Sequence, residues 1–218
     1  MCGRLSQTAA AEKAVKIMQI FGSPPEFLGS RYNVAPSQYV YAIQQPHHGE
    51  NHWRVFQWGL VPFWSKDKKI GYKLFNARAE TLSEKPSFRA AYRYRRCIVP
   101  ADDFFEWKTV EGQKKKQPFE IRRRDGQPLF LAALWESWEK DDEIIDSCTI
   151  ITTEANAVLK PLHDRMPVII PFDQANRWLD PAIQIGKQVE DLLKPAPDDL
   201  LEAVAIDAEQ LKIVKQSK

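Results

Sequence analysis

From Tyr39 onward the chain breaks into short strand-like runs, each stopped by glycine, proline or acidic residues before it grows long. Tyr39–Ile43 and Trp53–Trp58 flank a turn region at Pro46–Asn51. Phe75–Glu80 alternates, with Phe75, Ala77 and Ala79 on one face and Asn76, Arg78 and Glu80 on the other, since strand side chains point to opposite sides in turn. Further runs follow at Arg96–Ala101, Phe104–Lys108, Pro118–Arg122, Leu129–Trp138, Ser147–Thr153 and Met166–Ile170, with Asp125-Gly126 as a tight turn between two of them. Helical spacing is confined to short stretches. Thr8–Phe21 has Thr8 as a cap and Val15, Met18 and Phe21 on one face, and Gly22 with Pro24-Pro25 stops it. Ser87–Tyr92, Asn156–Leu162, a segment from Asp173 to Leu179 and Ile185–Leu193 read as helices too. Strands that do not alternate with long helices argue against a doubly wound sheet. The expected class is α+β, a single domain around an antiparallel or mixed sheet with peripheral helices.

At 218 residues and 44% hydrophobic content the chain can bury one sizeable core. No apolar run approaches the roughly 20 residues that span a bilayer, so no membrane partner is expected. Three scattered cysteines form no disulfide framework, and the N-terminus has no signal pattern. A reducing, cytoplasmic compartment and a monomer are expected. The net charge of +2 settles nothing about nucleic acid. Local clusters say more: Arg93-Tyr94-Arg95-Arg96, Lys114-Lys115-Lys116, Arg122-Arg123-Arg124, and Lys66, Lys68 and Lys69 after Trp64. Such runs are either solvated faces or a groove where bases stack on rings and phosphates meet cations.

Cysteine at position 2 carries distinctive chemistry. Once Met1 is trimmed, Cys2 offers an α-amine and a thiol on one residue. The amine condenses with an aldehyde, and the thiol closes on the same carbon as a five-membered ring, a step made fast by being intramolecular. The alternative is a small buried hydrophobe. Glu106 lies among Phe104, Phe105 and Trp107. It reads either as a desolvated general acid or as a surface glutamate paired with Lys108 or a cross-strand arginine. His163, at a helix-to-strand junction, is either a proton shuttle or a capping histidine, and Arg165 two residues on could hold a phosphate. Asn76 and Arg78 share a polar strand face, where an amide orients a reacting group and a guanidinium clamps a phosphate. Arg4 and Asn33 are uninformative alone. No metal site is expected, because no Cys-x-x-Cys pair exists and His48 and His52 fall in the turn region. No phosphate-loop, dinucleotide or serine-hydrolase motif is present, and no cofactor is expected.

Taken in order, Met1-Cys2-Gly3-Arg4, Arg31-Tyr32-Asn33-Val34-Ala35-Pro36, Trp58-Gly59-Leu60-Val61-Pro62, Asn76-Ala77-Arg78-Ala79-Glu80-Thr81, Arg96-Cys97-Ile98-Val99-Pro100-Ala101, Phe105-Glu106-Trp107-Lys108 and His163-Asp164-Arg165-Met166-Pro167 closely resemble the SRAP (SOS-response-associated peptidase) family. The match is strongest over residues 2–172 of a single domain spanning 1–218, with 195–218 a divergent tail. The resemblance implies a barrel-like sheet with a basic cleft, and a protein that shields abasic sites in single-stranded DNA, nucleoid-associated during DNA damage. It implies that Cys2 forms a thiazolidine crosslink with the ring-opened sugar, that Asn76 positions the N-terminal residue, and that Glu106 and His163 move protons. Arg4, Asn33, Arg78, Trp107 and Arg165 become DNA contacts, and Phe63 and Trp64 a wedge that stacks on bases. Two features depart from the family pattern. The tail lacks the usual Ser/Asn-rich segment, and Asp103 adds a negative charge near the cleft. Two other readings remain: a thiol peptidase built on Cys2, His163 and Glu106, and a non-covalent single-strand binder.

Overall fold

In the computed structural model, which describes residues 2–26, 29–46, 49–112, 114–184, 188–209 and 211, the strand-like runs assemble into two sheets that share an apolar layer. The strands are β1 (Leu5–Gln7), β2 (Arg31–Val34), β3 (Tyr39–Gln44), β4 (His52–Trp58), β5 (Asn76–Arg78), β6 (Arg96–Ala101), β7 (Asp103–Lys108), β8 (Gln117–Arg123), β9 (Leu129–Lys140), β10 (Glu143–Glu154), β11 (Arg165–Pro167) and β12 (Leu201–Ala205). The helices are α1 (Ala10–Ile17), α2 (Arg89–Tyr94) and α3 (Ala175–Leu179). One sheet runs β12-β8-β7-β1-β2. The other runs β11-β10-β4-β3-β6-β9, and a further pairing of β9 with β10 closes it into a barrel. Closure removes the exposed edges that an open sheet would leave. Pairing is antiparallel except where β10 lies parallel to β4 and β5.

Alternation along the barrel strands explains their unbroken apolar runs. Cys97, Val99 and Ala101 of β6 and Leu129, Leu131 and Ala133 of β9 face the layer shared with the five-stranded sheet. Ile98, Phe130, Ala132 and Leu134 face outward onto α1, α2 and α3. Both faces are covered, so no polar side is needed. β9 and β10 are joined by Asp141-Asp142, both at positive φ (51° and 63°), the twist that a two-residue hairpin demands. The Asp125-Gly126 turn also forms, with Gly126 at φ +68°. The strands on either side of it belong to different sheets.

The helices are where the sequence expectations fail most. α1 covers only Ala10–Ile17, and it buries Ala10, Ala11 and Ala14. Val15 and Phe21 are exposed, so the expected Val15-Met18-Phe21 face is not the packed one. Thr8 is not its cap. The Asp102 carboxylate, 94 residues away, accepts from the Thr8 amide (2.6 Å) and hydroxyl (2.8 Å) and from the Ala9 and Ala10 amides. An anion at the positive end of the helix replaces the local cap. Of the expected Asn156–Leu162 helix, residues 157–162 form turns instead. The Asn156 side chain accepts from the Leu159 amide, and Pro161 has no N–H to donate. Asp173 does not cap α3; its carboxylate accepts from Gln174 Nε2. Of the expected 185–193 helix, 185–187 lie outside the described residues, and a 3-10 turn forms at Glu190–Leu192.

Arg96 belongs to the core, not to a solvated basic run. It is 4% exposed, and every guanidinium N–H meets a backbone carbonyl. Nε donates to Trp178 (2.6 Å), Nη1 to Tyr92 (2.9 Å) and Arg93 (3.2 Å), and Nη2 to Asp180 and Ile183 (2.8 Å). One side chain thereby ties the end of α2 to the end of α3. Lysine offers a compact donor that cannot reach this fan of acceptors. Each orphaned buried carbonyl costs about 1–3 kcal/mol, so Arg96→Lys should lower the thermal midpoint by roughly 5–10 °C, as read by circular dichroism.

Candidate active site

Cys2 is fully buried and lies in the apolar layer between the sheets, in one cluster with Leu5, Trp58, Phe104, Ile150 and Met166. It is a free thiol. β7 delivers the second group. Phe104 is in the shared layer, so alternation points Glu106 to the same side, and Glu106 is only 5% exposed. Burial pushes the Cys2 thiol well up from its ordinary value, and the nearby Glu106 carboxylate pushes it further. The thiol is therefore protonated at neutral pH. The fold thus places a carboxylate and a thiol within electrostatic reach of each other in a buried layer.

β5 supplies Asn76. Its Nδ2 donates to the carbonyls of Phe75 (3.1 Å) and Ile150 (3.4 Å). Those two acceptors fix the amide, and Oδ1 is left buried with no hydrogen-bond partner among the described residues. Phe75 and Ile150 both border the layer that holds Cys2. A buried, oriented acceptor of this kind calls for a donor, and an amine is a fitting one.

His163 sits just before β11. Its Nδ1 accepts from the Arg165 amide at 2.9 Å, which leaves Nε2 to carry the proton of the neutral ring. The Asp164 carboxylate is 2.7 Å from the same Nδ1.

The sequence matches the SOS response associated peptidase (SRAP) family over residues 1–212. The chain belongs to the SRAP family. It is 41% identical over 211 residues to the abasic site processing protein YoaM of Bacillus subtilis (strain 168), covering 95% of this chain and 92% of that one. It is 37% identical over 198 residues to the abasic site processing protein YedK of Escherichia coli (strain K12), covering 88% and 85%. An X-ray structure of a Bacteroides thetaiotaomicron protein superposes with a TM-score of 0.85 at 29% identity, covering 97% of this chain and 94% of that one. The SRAP fold is thereby shown.

In this SRAP chain the remaining candidates are dispersed over several strands and loops. Arg78, on β5, is exposed. Arg165 is held by a two-pronged ion pair to Glu80 (2.7 and 2.8 Å) and by the Thr152 carbonyl (2.6 Å), and it holds the Glu80 carboxyl below its usual range. Arg4 Nη1 donates to Asn33 Oδ1 (3.1 Å), and Asn33 Nδ2 donates to the carbonyl of Leu211 in the tail (3.1 Å). Phe63 and Trp64 are exposed, and Trp107 is half-buried. His48 lies outside the described residues. Sequence reasoning missed Glu80, the partner of Arg165, although it stands two residues after Arg78 on the same strand-like run. It also missed Leu211, because nothing local ties a tail to Asn33. No described helix is long and apolar enough to cross a membrane.

Asp103 faces away from Cys2, beside Glu120, in a cavity also lined by Tyr32, Phe105 and Leu211. Its carboxyl is pushed up to about 7, first by burial and then by Glu120 and Asp102. The folded chain holds this proton up to about pH 7, whereas the unfolded chain releases it near 3.8. Proton uptake on folding means that stability falls as pH rises through that window, and the deficit is complete above it. Asp103→Asn should raise the thermal midpoint relative to the parent at pH 8 and leave the difference near zero at pH 4, in melts followed at both values.

Proposed function

We propose that this chain recognises abasic sites in single-stranded DNA and joins to them covalently through Cys2 once Met1 has been removed. The observation that carries the reading is the burial of Cys2 beside Glu106 in a dry layer. The abasic site processing proteins among its relatives support the substrate. The α-amine, with an ordinary pKa of about 7.7–8.0, attacks the aldehyde of the ring-opened sugar. A C–N bond forms and one amine proton passes to the former carbonyl oxygen; Glu106 takes the second amine proton and delivers it to the departing hydroxyl, so that water leaves and an imine results. The Cys2 S–H then adds across the imine: sulfur bonds to the carbon and the proton passes to nitrogen, closing the thiazolidine. Asn76 Oδ1 accepts from the amine and aims it. His163 relays a proton during sugar ring opening. A protonated thiol suits this order, because the amine acts first and closure is intramolecular. It counts against a peptidase that needs a ready thiolate.

A denaturing gel with single-stranded DNA carrying one abasic site should show a covalent band that Cys2→Ser abolishes. Peptide mapping of the band should place the bond on residue 2. Glu106→Gln should slow crosslinking by about a hundredfold, the usual size of a general acid's contribution, with binding much less affected. Equal loss of rate and affinity would remove Glu106 from proton transfer.

Arg78 and Arg165 are proposed to meet phosphates, Arg4, Asn33 and Trp107 to line the DNA path, and Phe63 and Trp64 to stack on bases. Arg165 has to exchange Glu80 for phosphate. Fluorescence anisotropy on single-stranded DNA should therefore give opposite signs: Arg78→Ala and Arg165→Ala weaken binding and flatten its salt dependence, while Glu80→Gln strengthens it. Unchanged affinity in all of these variants would place the phosphates elsewhere.

A further inference from the structure

Phe63 and Trp64 are 57% and 48% exposed, on the loop between β4 and a 3-10 turn at Lys68–Lys73. Exposed rings on a loop have no packing of their own to hold them, so their direction depends on the backbone beneath them. That backbone is gripped from β9 by alternate side chains. The Phe63 amide lies near enough to the Glu136 carboxylate to favour its charged form, and Arg95 Nη2 donates to that carboxylate at 2.8 Å. Trp138 Nε1 donates to the Ser65 carbonyl at 2.8 Å. Lys140 Nζ donates to the Lys66 carbonyl at 3.2 Å. Residues two apart on a strand share a side, so one edge of β9 meets successive atoms of the loop. From β10, the buried Ser147 hydroxyl accepts the Val61 amide at 2.8 Å. The ends of the loop are pinned as well. A Cβ at Gly59 would lie 2.6 Å from the Gly71 carbonyl oxygen, and one at Gly71 would lie 2.7 Å from that of Gly59, so the two backbones are packed in direct contact.

Glu136 is 5% exposed and Trp138 3% exposed. Keeping a carboxylate that deep is costly unless it is paired and hydrogen-bonded, and its partners here are Arg95 and the loop. We infer that Glu136, Trp138 and Ser147 are positioning residues that hold Phe63 and Trp64 as a preformed stacking edge, and that this edge sets the preference between an abasic site in free single strand and one abutting duplex. The inference rests on the stacking role proposed above for the two rings. None of the positioning side chains touches the reacting atoms; they act through the loop.

The test compares the parent with Glu136→Ala, Glu136→Gln and Trp138→Phe. One arm measures amide hydrogen exchange over residues 60–67 by mass spectrometry. The other measures crosslinking rates on a single-stranded abasic substrate and on one with duplex adjoining the site. Glu136→Ala and Trp138→Phe should speed exchange in the loop and shift the ratio of the two rates on the order of tenfold, the effect of losing a hydrogen bond to a charged or buried partner. The single-strand rate should stay within about twofold, well below that loss. Glu136→Gln keeps an acceptor for the Phe63 amide and should restore most of the ratio, which a general loss of stability would not do. Trp138→Phe keeps an aromatic ring while removing the donor and part of the indole, a smaller change than losing a buried charge, so it carries the test if Glu136→Ala fails to fold. Faster exchange with an unchanged ratio would overturn the inference, and so would unchanged exchange. A parent that crosslinks neither substrate would overturn the proposed function instead, and the exchange arm would still decide whether β9 grips the loop.

Discussion

Water is excluded from the layer between the two sheets, and the second residue of the chain lies inside it. Leu5, Phe104 and Ile121 come from the five-stranded sheet, and Phe56, Trp58, Val99 and Leu131 come from the barrel. Each such side chain contributes about 1.5–3 kcal/mol on full burial, which offsets the cost of holding Glu106 in the same space. Low local polarity does two things to the pair. It keeps the Cys2 thiol protonated, and it lets one charge act on its neighbour far more strongly than in water. The proposed reaction, which begins at an amine and ends at a neutral thiol, draws on both conditions. β1 and β7 hydrogen-bond to each other, with Leu5 opposite Phe104 and the Phe105 amide donating to the Arg4 carbonyl. The pairing of those two strands therefore sets where Cys2 sits relative to Glu106.

Several arginines of the chain are engaged by carboxylates. Arg165 is held by Glu80, Arg122 by Glu202, Arg123 by Asp125 and Arg95 by Glu136. Arg123 also lies 4.5 Å from the centre of the Phe172 ring. Paired guanidinium groups do not present a broad positive field, which agrees with a net charge of only +2. For the proposed DNA partner, such a surface offers a few exchangeable pairs and exposed rings as contacts. Geometry then matters more than total charge, and the backbone-gripped loop of Phe63 and Trp64 is one place where geometry is held.

The strands were legible because alternation and interruption are local signals. β3, β4, β6, β7 and β8 lie within a residue or two of the runs read from the sequence. Phe104 and Glu106 share the buried side that alternation assigns to them. The failures have a common cause in partners distant along the chain. α1 is capped by Asp102, so a local rule chose Thr8. Arg96 stands in a run of cations, and only the ends of α2 and α3 show that it is buried. The β9–β10 turn is Asp141-Asp142, without the glycine that usually marks positive φ.

Composition and order by themselves determined the α+β class, the family, and which residue types could carry aldehyde chemistry, because strand periodicity and motif sequence are written along the chain. Tertiary structure alone decided that Cys2 lies in a dry layer beside Glu106, that Asn76 keeps a buried acceptor, that Arg165 begins paired with Glu80, and that β9 steers an exposed aromatic loop. Each of these is a meeting of groups far apart in sequence. Burial, electrostatic coupling and hydrogen-bond partners are properties of such meetings, and no local pattern encodes them.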